Sequence, residues 1–496
     1  MTLDPRTPVI VGVGQYLHRA EGLDDALEPA ALMAEAVRAA AEDAKLAAVP
    51  DADSLRVVQL LSWRYHNAPR FVAERLGISP GELAYTTPGG NTPQTLVNTT
   101  SADILRGDLD IAILTGGEAW RTRMRARKSD TALTWPKADE SDQPRILGKD
   151  LRMNLQEEID RGIYAPVQVY PMFETAIRAA AGRSIEEHTD HLGRLWSGLS
   201  EVAADNPYAW IRDAKTPEEI TTPTPTNRMI GLPYPKYMNS NNDVDMGAAV
   251  IMCSVDAARR LGVPEDRWVF PRSGADCHEH AFVSHRDTFA TTPAIELGGR
   301  KALELAGIGI DDVSVIDLYS CFPAAVQLGA ASLGIDPHER QWSRTGGLPF
   351  AGGPWNNYVM HAIATVVEDL RQQPGEYGLV WANGGYATKH AFGVYSTTPP
   401  ERGFAHVDPQ DEIDVLPRRE LAAPADAAGA ATIEAYTVMF DREGTPETAI
   451  ASCLLADGRR AWGTSTDTDV TNALTDGEWV GTTVQLDAEG GLRLPS

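Results

Sequence analysis

Thiol chemistry and metal binding are the first possibilities that the side chains of this sequence raise. The cysteines of the chain are Cys253, Cys277, Cys321 and Cys453. They are far apart, without the close pairs of a zinc site or a disulfide framework. Residues 277–280 (CHEH) are ligand-type residues, but neighbours on an extended strand point to opposite faces, which favours a polar loop. We therefore expect no metal, and reduced thiols in a cytoplasmic protein.

The densest group of cations lies at residues 121–128 (RTRMRARK). Guanidinium groups bind phosphate through paired hydrogen bonds, which makes Arg121, Arg123 and Arg125 candidate phosphate ligands. The alternative is a solvated helix face, the usual setting of a basic run.

The charge of the whole chain argues against nucleic-acid binding. The 496 residues carry 69 acidic and 44 basic side chains, a formal net charge of -25, whereas binding to phosphodiester chains needs clustered cations. No run of about 18 apolar residues could span a membrane. Residues 1–15 lack a charged segment followed by a long apolar one, so we expect no signal peptide.

Strands that alternate with helices carry these residues in two series. Apolar runs ended by glycine or polar residues predict the strands, and apolar residues at helical spacing predict the helices. The first series contains strands at 8–14 and 110–114 and a helix at 27–47. The second contains helices at 301–306, 323–333 and 361–371 and strands at 313–318 and 379–382. This alternation predicts parallel βαβ units.

The character of the sequence changes near its carboxyl end. Residues 421–431 (LAAPADAAGAA) have the composition of a linker. Beyond them, short runs with two-residue alternation are separated by Gly and Asp turns. This pattern predicts a small antiparallel β module, in which a barrel is the expected form.

Six motifs occur in the order in which thiolases have them. They are 8–14 (PVIVGVG), 106–118 (RGD to GGE), 239–249 (NSNND to MGAA), 320–322 (SCF, for HDCF), 352–354 (GGP, for GHP) and 383–385 (NGG, for CxGG). Residues 1–400 therefore resemble the thiolase superfamily, closest to its sterol-carrier-protein-type branch. With its tail, the chain resembles the mycobacterial thiolase-like proteins of type 1.

The resemblance implies the thiolase fold, an α/β fold of two homologous βαβαβαββ halves in five layers, α-β-α-β-α. A catalytic pocket would lie at the seam, and an inserted loop domain would bind coenzyme A. The domains would be an N-terminal half (1–119 and 236–265), a loop domain (120–235), a C-terminal half (266–410), a linker (411–431) and an additional β domain (432–496).

Thiolase catalysis uses a nucleophilic cysteine, the GHP histidine, an Asn or His that builds an oxyanion site, and a second cysteine as acid and base. The resemblance places Gly90, Gly353 and Ala382 at the first cysteine, the histidine and the second cysteine. No cysteine precedes Cys253, so a shifted alignment restores no nucleophile. Thr92 or Thr95 is an alternative nucleophile, although an alkoxide needs a strong base beside it.

Four catalytic-type or binding side chains remain at matching or nearby positions. Tyr319 replaces the histidine of HDCF, and its phenol can donate a hydrogen bond to a carbonyl oxygen. Cys321 retains the loop cysteine and is either an acid/base group or a small core residue. Lys389 and His390 follow the NGG turn and could bind a carbonyl or phosphate group of acyl-CoA, or have a structural role. His361 is expected to pack in the interior.

Three hypotheses follow. The chain is a relative of acetyl-CoA acetyltransferases that binds CoA or acyl-CoA, without a covalent cofactor, and lacks thiolase activity. Alternatively, it is an acyltransferase or Claisen-type enzyme with a rearranged site that uses Cys321, Tyr319 and His390. As a third possibility, it is a scaffold whose β domain docks a protein partner. Where CoA or acyl-CoA binds, Arg121, Arg123, Arg125 and Lys389 are its candidate ligands, and the sequence leaves the number of subunits open.

Overall fold

A computed structural model describes residues 3–495, so residues 1, 2 and 496, at the ends of two predicted domains, lie outside the described part. The strands are β1 (Pro8–Leu17), β2 (Ser54–Val57), β3 (Glu82–Thr86), β4 (Ile111–Ala119), β5 (Arg145–Leu147), β6 (Met229–Gly231), β7 (Tyr234–Pro235), β8 (Asp245–Ser254), β9 (Phe270–His278), β10 (Val313–Leu318), β11 (Tyr377–Gly384), β12 (Lys389–Ser396), β13 (Ala405–Val407), β14 (Gly429–Phe440), β15 (Pro446–Leu454), β16 (Arg460–Ser465), β17 (Thr483–Leu486) and β18 (Leu492–Arg493). The helices are α1 (Pro29–Asp43), α2 (Ala68–Leu76), α3 (Thr92–Arg106), α4 (Trp120–Lys128), α5 (Gln156–Asp160), α6 (Pro166–Ala180), α7 (Ile185–Asp205), α8 (Pro217–Thr221), α9 (Val255–Arg260), α10 (Pro293–Ala306), α11 (Pro323–Leu333), α12 (Tyr358–Gln372), α13 (Gln410–Asp414), α14 (Pro424–Ala427) and α15 (Thr468–Asp476).

The first half is built on a six-stranded sheet in the order β1-β8-β4-β2-β3-β5. Strands β4, β2, β3 and β5 are parallel, and β8 runs antiparallel to both of its neighbours. Every residue of β8 is buried, as expected for a strand whose sheet is covered by helices on both faces.

The second half repeats this plan with a five-stranded sheet in the order β10-β11-β12-β9-β13. Strands β10 and β11 are parallel, whereas β12 runs antiparallel to β11 and β9. The segment between α11 and α12 lies beside β10, because the Leu318 N–H at the end of β10 donates to the Trp342 carbonyl of that segment, 2.9 Å.

The helices arrange the two sheets in five layers. Helices α3 and α12 contact strands of both sheets and form the central layer. Helices α1 and α2 cover the first sheet, and α10 and α11 cover the second. The predicted α-β-α-β-α architecture is therefore confirmed. Its central layer matters most for the site, because the amino ends of α3 and α12 both point to the seam between the halves.

The segment between the halves is mainly helical. Its two long helices are α6 and α7, and α6 contacts both α11 and the carboxyl-terminal strand β14. The Ser184 hydroxyl caps α7 by accepting the Glu187 N–H, while the Glu187 carboxylate accepts the Ser184 N–H. This segment thus bridges the second half and the carboxyl-terminal sheet.

The tail forms the predicted antiparallel β module, with strands in the order β16-β15-β14-β17-β18. The sheet curls until its ends meet, because the Thr464 N–H of β16 donates to the Gly490 carbonyl beside β18, 2.8 Å. Helix α15 lies between β16 and β17, where we expected only turns. The Asp467 side chain explains it, since it caps the helix by accepting the N–H groups of Asp469 and Val470.

Candidate functional site

A cavity of about 520 Å³ lies at the seam between the two halves. Residues 88–90 before α3, the loop 319–322 between β10 and α11, and the turn 383–385 after β11 form its walls, and α6 closes it. Gly90, Tyr319, Cys321, Gly353 and Lys389 all line it. The fold therefore brings together most of the positions that the motifs singled out, although Gly90 precedes the others by more than 200 residues.

Gly90 is the position at which the resemblance places the nucleophile. A β-carbon at Gly90 would lie 2.6 Å from the Tyr319 hydroxyl and 3.0 Å from Tyr319 Cζ, and it would collide with the Asn383 carbonyl oxygen. The space that a side chain of residue 90 would need is thus filled by the neighbouring loop and turn, and the site accommodates glycine alone without a shift.

Tyr319 projects its phenol into this space. Its ring packs edge-on against Tyr358, with centroids 5.5 Å apart, and burial raises the pKa of Tyr319 well above its usual value. The phenol is therefore protonated at neutral pH. Within residues 3–495 its hydroxyl forms no hydrogen bond, although it borders the cavity. It can donate one to a ligand.

Cys321 lies two residues further along the same loop and is 7% exposed. Burial raises the pKa of its thiol to about 12, partly offset by the Tyr170 hydroxyl and the N–H groups of Cys321 and Phe322. A thiol with this pKa is almost entirely protonated at pH 7, and the thiolate is the nucleophilic form. Cys321 thus faces the cavity as a neutral thiol.

Gly353, where the resemblance places the GHP histidine, donates its N–H to the Asn241 carbonyl, 2.8 Å. A β-carbon there would lie 3.0 Å from Asn242 Oδ1. Two residues further on, Trp355 lines the cavity, and its ring contacts Trp120 at 4.7 Å. Its indole N–H is buried and has no partner within the described chain, so it is a second donor available to a ligand.

Two asparagines supply acceptors beside these donors. Asn239 and Asn383 use their amide nitrogens in bonds of 2.8 Å to the Pro235 carbonyl and the Tyr170 hydroxyl. Their Oδ1 atoms are buried and, in residues 3–495, without a donor. Both asparagines belong to motifs quoted above, but we did not predict them as site residues. Trp355 directly follows the motif 352–354 and was not predicted as a site residue either. Nothing in the sequence indicated Tyr170.

Lys389 and His390 are separated by the alternation of β12. The Lys389 side chain enters the cavity wall and donates to the Pro88 carbonyl, and burial lowers its pKa. His390 faces the other way, accepts the Trp381 indole N–H at 3.3 Å and does not line the cavity. Burial lowers the pKa of His390 well below its usual value, so it is a neutral interior residue outside the cavity lining.

The other positions considered from the sequence lie away from the cavity. Ala382 is buried in β11 opposite Ala391. His361 donates from Nδ1 to the Gln15 Oε1 atom at 2.9 Å inside the protein, and burial lowers the pKa of His361 to about 3. The Thr92 hydroxyl donates to the Gly89 carbonyl at 2.7 Å. Thr95 donates to the Asp276 carboxylate. Neither threonine lines the cavity.

The basic run forms α4, and the structure does not bring it to the cavity. Arg121 pairs with Asp243, Arg123 donates to the Leu61 carbonyl, and Arg125 donates to the Ala20 carbonyl at 2.6 Å. With these contacts, none of the three arginines lines the seam cavity. Arg123 instead lines a second cavity.

The described residues contain neither a cluster of metal-binding side chains nor a membrane-spanning helix. Across residues 3–495, no group of three or more His, Cys, Asp or Glu side chains is arranged to hold a metal ion. Within the same range, none of the helices combines the length and the apolar character needed to cross a membrane.

Comparisons with known proteins agree with this architecture. A family model described as the additional C-terminal domain of thiolase-like protein type 1 matches residues 408–491. The crystal structure of a monomeric SCP2-thiolase like protein type 1 from Mycobacterium smegmatis is 33% identical, with a TM-score of 0.84 over 100% of both chains.

Two more distant relatives match part of the chain. The structure of an Ltp2-ChsH2(DUF35) aldolase is 19% identical, with a TM-score of 0.60 over 79% of this chain and 98% of that one, a likeness of fold alone. The benzoylsuccinyl-CoA thiolase subunit BbsB of Thauera aromatica is 24% identical over 135 residues, 27% of this chain and 33% of the relative. The chain thus spans about a third of that relative's length.

Proposed function

The chain belongs to the SCP2-thiolase-like proteins of type 1, as the order of its motifs predicted, and from this premise we propose that its seam cavity binds acyl-CoA or a related thioester without thiolase acyl transfer. The observation that carries the proposal is the filled space at Gly90, where the Tyr319 hydroxyl would be 2.6 Å from any β-carbon. A cysteine cannot occupy that position while Tyr319 and the Asn383 carbonyl remain in place.

The polar groups of the cavity suit a thioester with an amide-containing arm. The Tyr319 hydroxyl is a donor in the cavity lining. The Trp355 indole N–H, a donor, and the Oδ1 atoms of Asn239 and Asn383, both acceptors, are buried without partners within residues 3–495. Buried polar groups that lack partners are costly. The thioester carbonyl and the two amides of a pantetheine arm offer the matching acceptors and donors.

An acyltransferase or Claisen-type enzyme with a rearranged site is the second hypothesis. It needs Cys321 as thiolate or as acid and base, and a base beside it. The thiol pKa of about 12 and the orientation of His390 away from the cavity both weigh against acyl transfer. We therefore favour binding over turnover, and we place this binding protein in the cytoplasm, where free thiols stay reduced.

Arg460 links the carboxyl-terminal β domain to the second half of the protein through hydrogen bonds to the segment around residues 284–286. This guanidinium is fully buried, pairs with Glu434 and donates to the carbonyls of Ser284 (2.7 Å) and Arg286 (2.6 Å). Arg286 in turn donates to the Tyr386 carbonyl, 2.8 Å, and Tyr386 lines the cavity. We propose that the domain braces the cavity wall, with partner docking as the alternative role.

Isothermal titration with acetyl-CoA and CoA tests the binding proposal. We expect wild type to bind and Tyr319→Phe to bind about 2- to 10-fold more weakly, the effect of one hydrogen bond. Tyr395→Phe is the matched control, because the Tyr395 hydroxyl is buried against Gln94 at 2.7 Å, outside the cavity. No heat with millimolar ligand would refute the proposal.

Thiolysis and condensation assays separate the hypotheses. We expect no turnover from either wild type or Cys321→Ala. Turnover by wild type that disappears in Cys321→Ala would establish the rearranged enzyme instead. A protein that co-purifies with the full chain but not after deletion of residues 432–496 would favour the scaffold hypothesis.

A further inference from the structure

A second cavity, of about 720 Å³, adjoins the seam cavity, and we name it the cationic groove. Pro88 and Asp150 line both. Its other walls are the connection between β2 and α2 (residues 59–68), the end of β3 and the basic side chains Arg64, Arg123 and Lys137. The donors and acceptors assigned to the thioester, on Tyr319, Trp355, Asn239 and Asn383, lie outside this groove.

The cations of the groove lack acidic partners. In a chain with 69 acidic and 44 basic residues, ion pairing is the ordinary state of an arginine, and many arginines here are paired. Yet within residues 3–495 none of Arg64, Arg123 and Lys137 forms an ion pair. Asp150, at the boundary with the seam cavity, is the one carboxylate in the lining. The groove is therefore a positive region on a strongly negative protein, which favours an anion.

Aromatic rings accompany these cations. The Lys137 ammonium lies 4.8 Å from the centroid of the Trp63 ring, and Trp63 meets Trp135 edge-on at 5.2 Å. Tyr85 and His66 also line the groove. Cations that hold phosphate next to aromatic rings that stack on bases are the combination with which proteins bind nucleotides. An inorganic anion alone would leave the aromatic wall without a function.

We propose that the cationic groove binds a phosphorylated nucleoside. The shared chemistry is a purine ring against the aromatic wall and phosphate groups between Arg64, Arg123 and Lys137. The ligand has two possible sources, the 3′-phospho-ADP end of a CoA thioester in the adjoining cavity or a free nucleotide. The first source rests on the proposed function, and the second does not.

Titration with adenosine 3′,5′-bisphosphate tests the groove by itself. We expect wild type to bind it and the double variant Arg64→Gln, Lys137→Gln to bind at least about tenfold more weakly, because charge-assisted phosphate contacts are lost. The matched control is Arg127→Gln, Lys128→Gln, which removes the same two charges from exposed positions of α4 outside the groove. No binding by wild type at millimolar ligand, or equal losses in both double variants, would overturn the proposal.

Acetyl-pantetheine and acetyl-CoA distinguish the two sources. If the nucleotide is the end of CoA, acetyl-CoA binds wild type more tightly than acetyl-pantetheine, and the groove variant abolishes that advantage. If the nucleotide is free, both thioesters bind equally, and adenosine 3′,5′-bisphosphate still binds when acetyl-CoA saturates the protein. Failure of acetyl-pantetheine to bind would refute the thioester cavity alone, since groove binding is measured without it.

Discussion

Replacing Gly90 with alanine adds one methyl group at a crowded point of the site. The added carbon would collide with the Asn383 carbonyl oxygen and lie 2.6 Å from the Tyr319 hydroxyl. Neither neighbour can easily withdraw. Asn383 belongs to β11, paired in register with His390 of β12, and the Tyr319 ring is packed against Tyr358. We expect a destabilised protein.

The size of the effect follows from the cost of overpacking, about 1–3 kcal/mol. The upper end applies here, because one of the two obstacles is backbone. Unfolding entropy of about 2.1 cal/mol/K per residue gives roughly 0.8 kcal/mol/K for a cooperative unit of roughly 400 residues. A loss of about 3 kcal/mol therefore lowers Tm by about 4 °C.

Differential scanning calorimetry at one scan rate measures this shift, with Gly198→Ala as the matched control. Gly198 lies inside α7, is exposed, and has no atom within 4 Å of where its β-carbon would be. Alanine there should raise stability by up to about 1 kcal/mol, because glycine is a poor helix former. The same chemical change is thus expected to shift Tm in opposite directions at the two positions.

Removing the Tyr319 hydroxyl tests whether the clash beside residue 90 causes the loss of stability. In the Gly90→Ala background, Tyr319→Phe should recover part of the lost Tm, since it removes the closest side-chain atom. A Gly90→Ala protein that melts at or above the temperature of wild type would refute the reasoning, and with it the claim that the space beside Gly90 is filled.

Three further predictions concern buried ionisable groups. Because its thiol pKa is about 12, Cys321 should react with iodoacetamide at pH 8 about a thousandfold more slowly than a free cysteine, and the rate should increase with pH. Peptide mapping after alkylation measures this rate, and a rate like that of a free cysteine would contradict the prediction. Burial raises the pKa of Glu118 from its usual 4.5 to about 7, so the folded state holds this proton more tightly than the unfolded state. A stabilisation of about 3 kcal/mol, present below pH 4.5, is therefore lost as pH rises through 7. Glu118→Gln should flatten the dependence of unfolding free energy on pH in denaturant titrations, and an unchanged dependence would count against this prediction. Arg460→Met leaves Glu434 without its guanidinium partner and should cost about 3–5 kcal/mol; a smaller cost than that of an exposed Arg459→Met would contradict the bracing role.

The sequence predicted the framework of the site better than its interior. Strand β10 and helix α11 have the predicted bounds, because an apolar β-branched run and a proline-to-glycine segment mark them clearly. The loop between them therefore placed Tyr319 and Cys321 correctly at the seam. Lys389 and His390 were expected to act together, but they are neighbours on β12, and only Lys389 lines the cavity. No strand was predicted there, and the register of β12 with β9 and β11 decides which of the two faces the cavity.

Long-range contacts explain what the sequence could not predict. The basic run was expected at the CoA phosphates, and it forms helix α4, but Asp243 and the Ala20 carbonyl hold Arg121 and Arg125 outside the lining of the seam cavity. Those partners are more than 100 residues away along the chain, and no local pattern marks them. Trp355 was missed for the same reason, since its unpartnered N–H is significant only once the cavity is known.

The crowding at Gly90 changes how the replaced positions are understood. Read one at a time, glycine at the nucleophile position and tyrosine in the loop are two separate departures from the thiolase pattern. In space they are one feature, because the Tyr319 hydroxyl lies where the side chain of residue 90 would begin. On our proposal, neither change can be reversed alone: cysteine at position 90 needs Tyr319 removed, and removing Tyr319 alone opens a space lined by glycine. This mutual dependence is what we expect of a site rebuilt for binding.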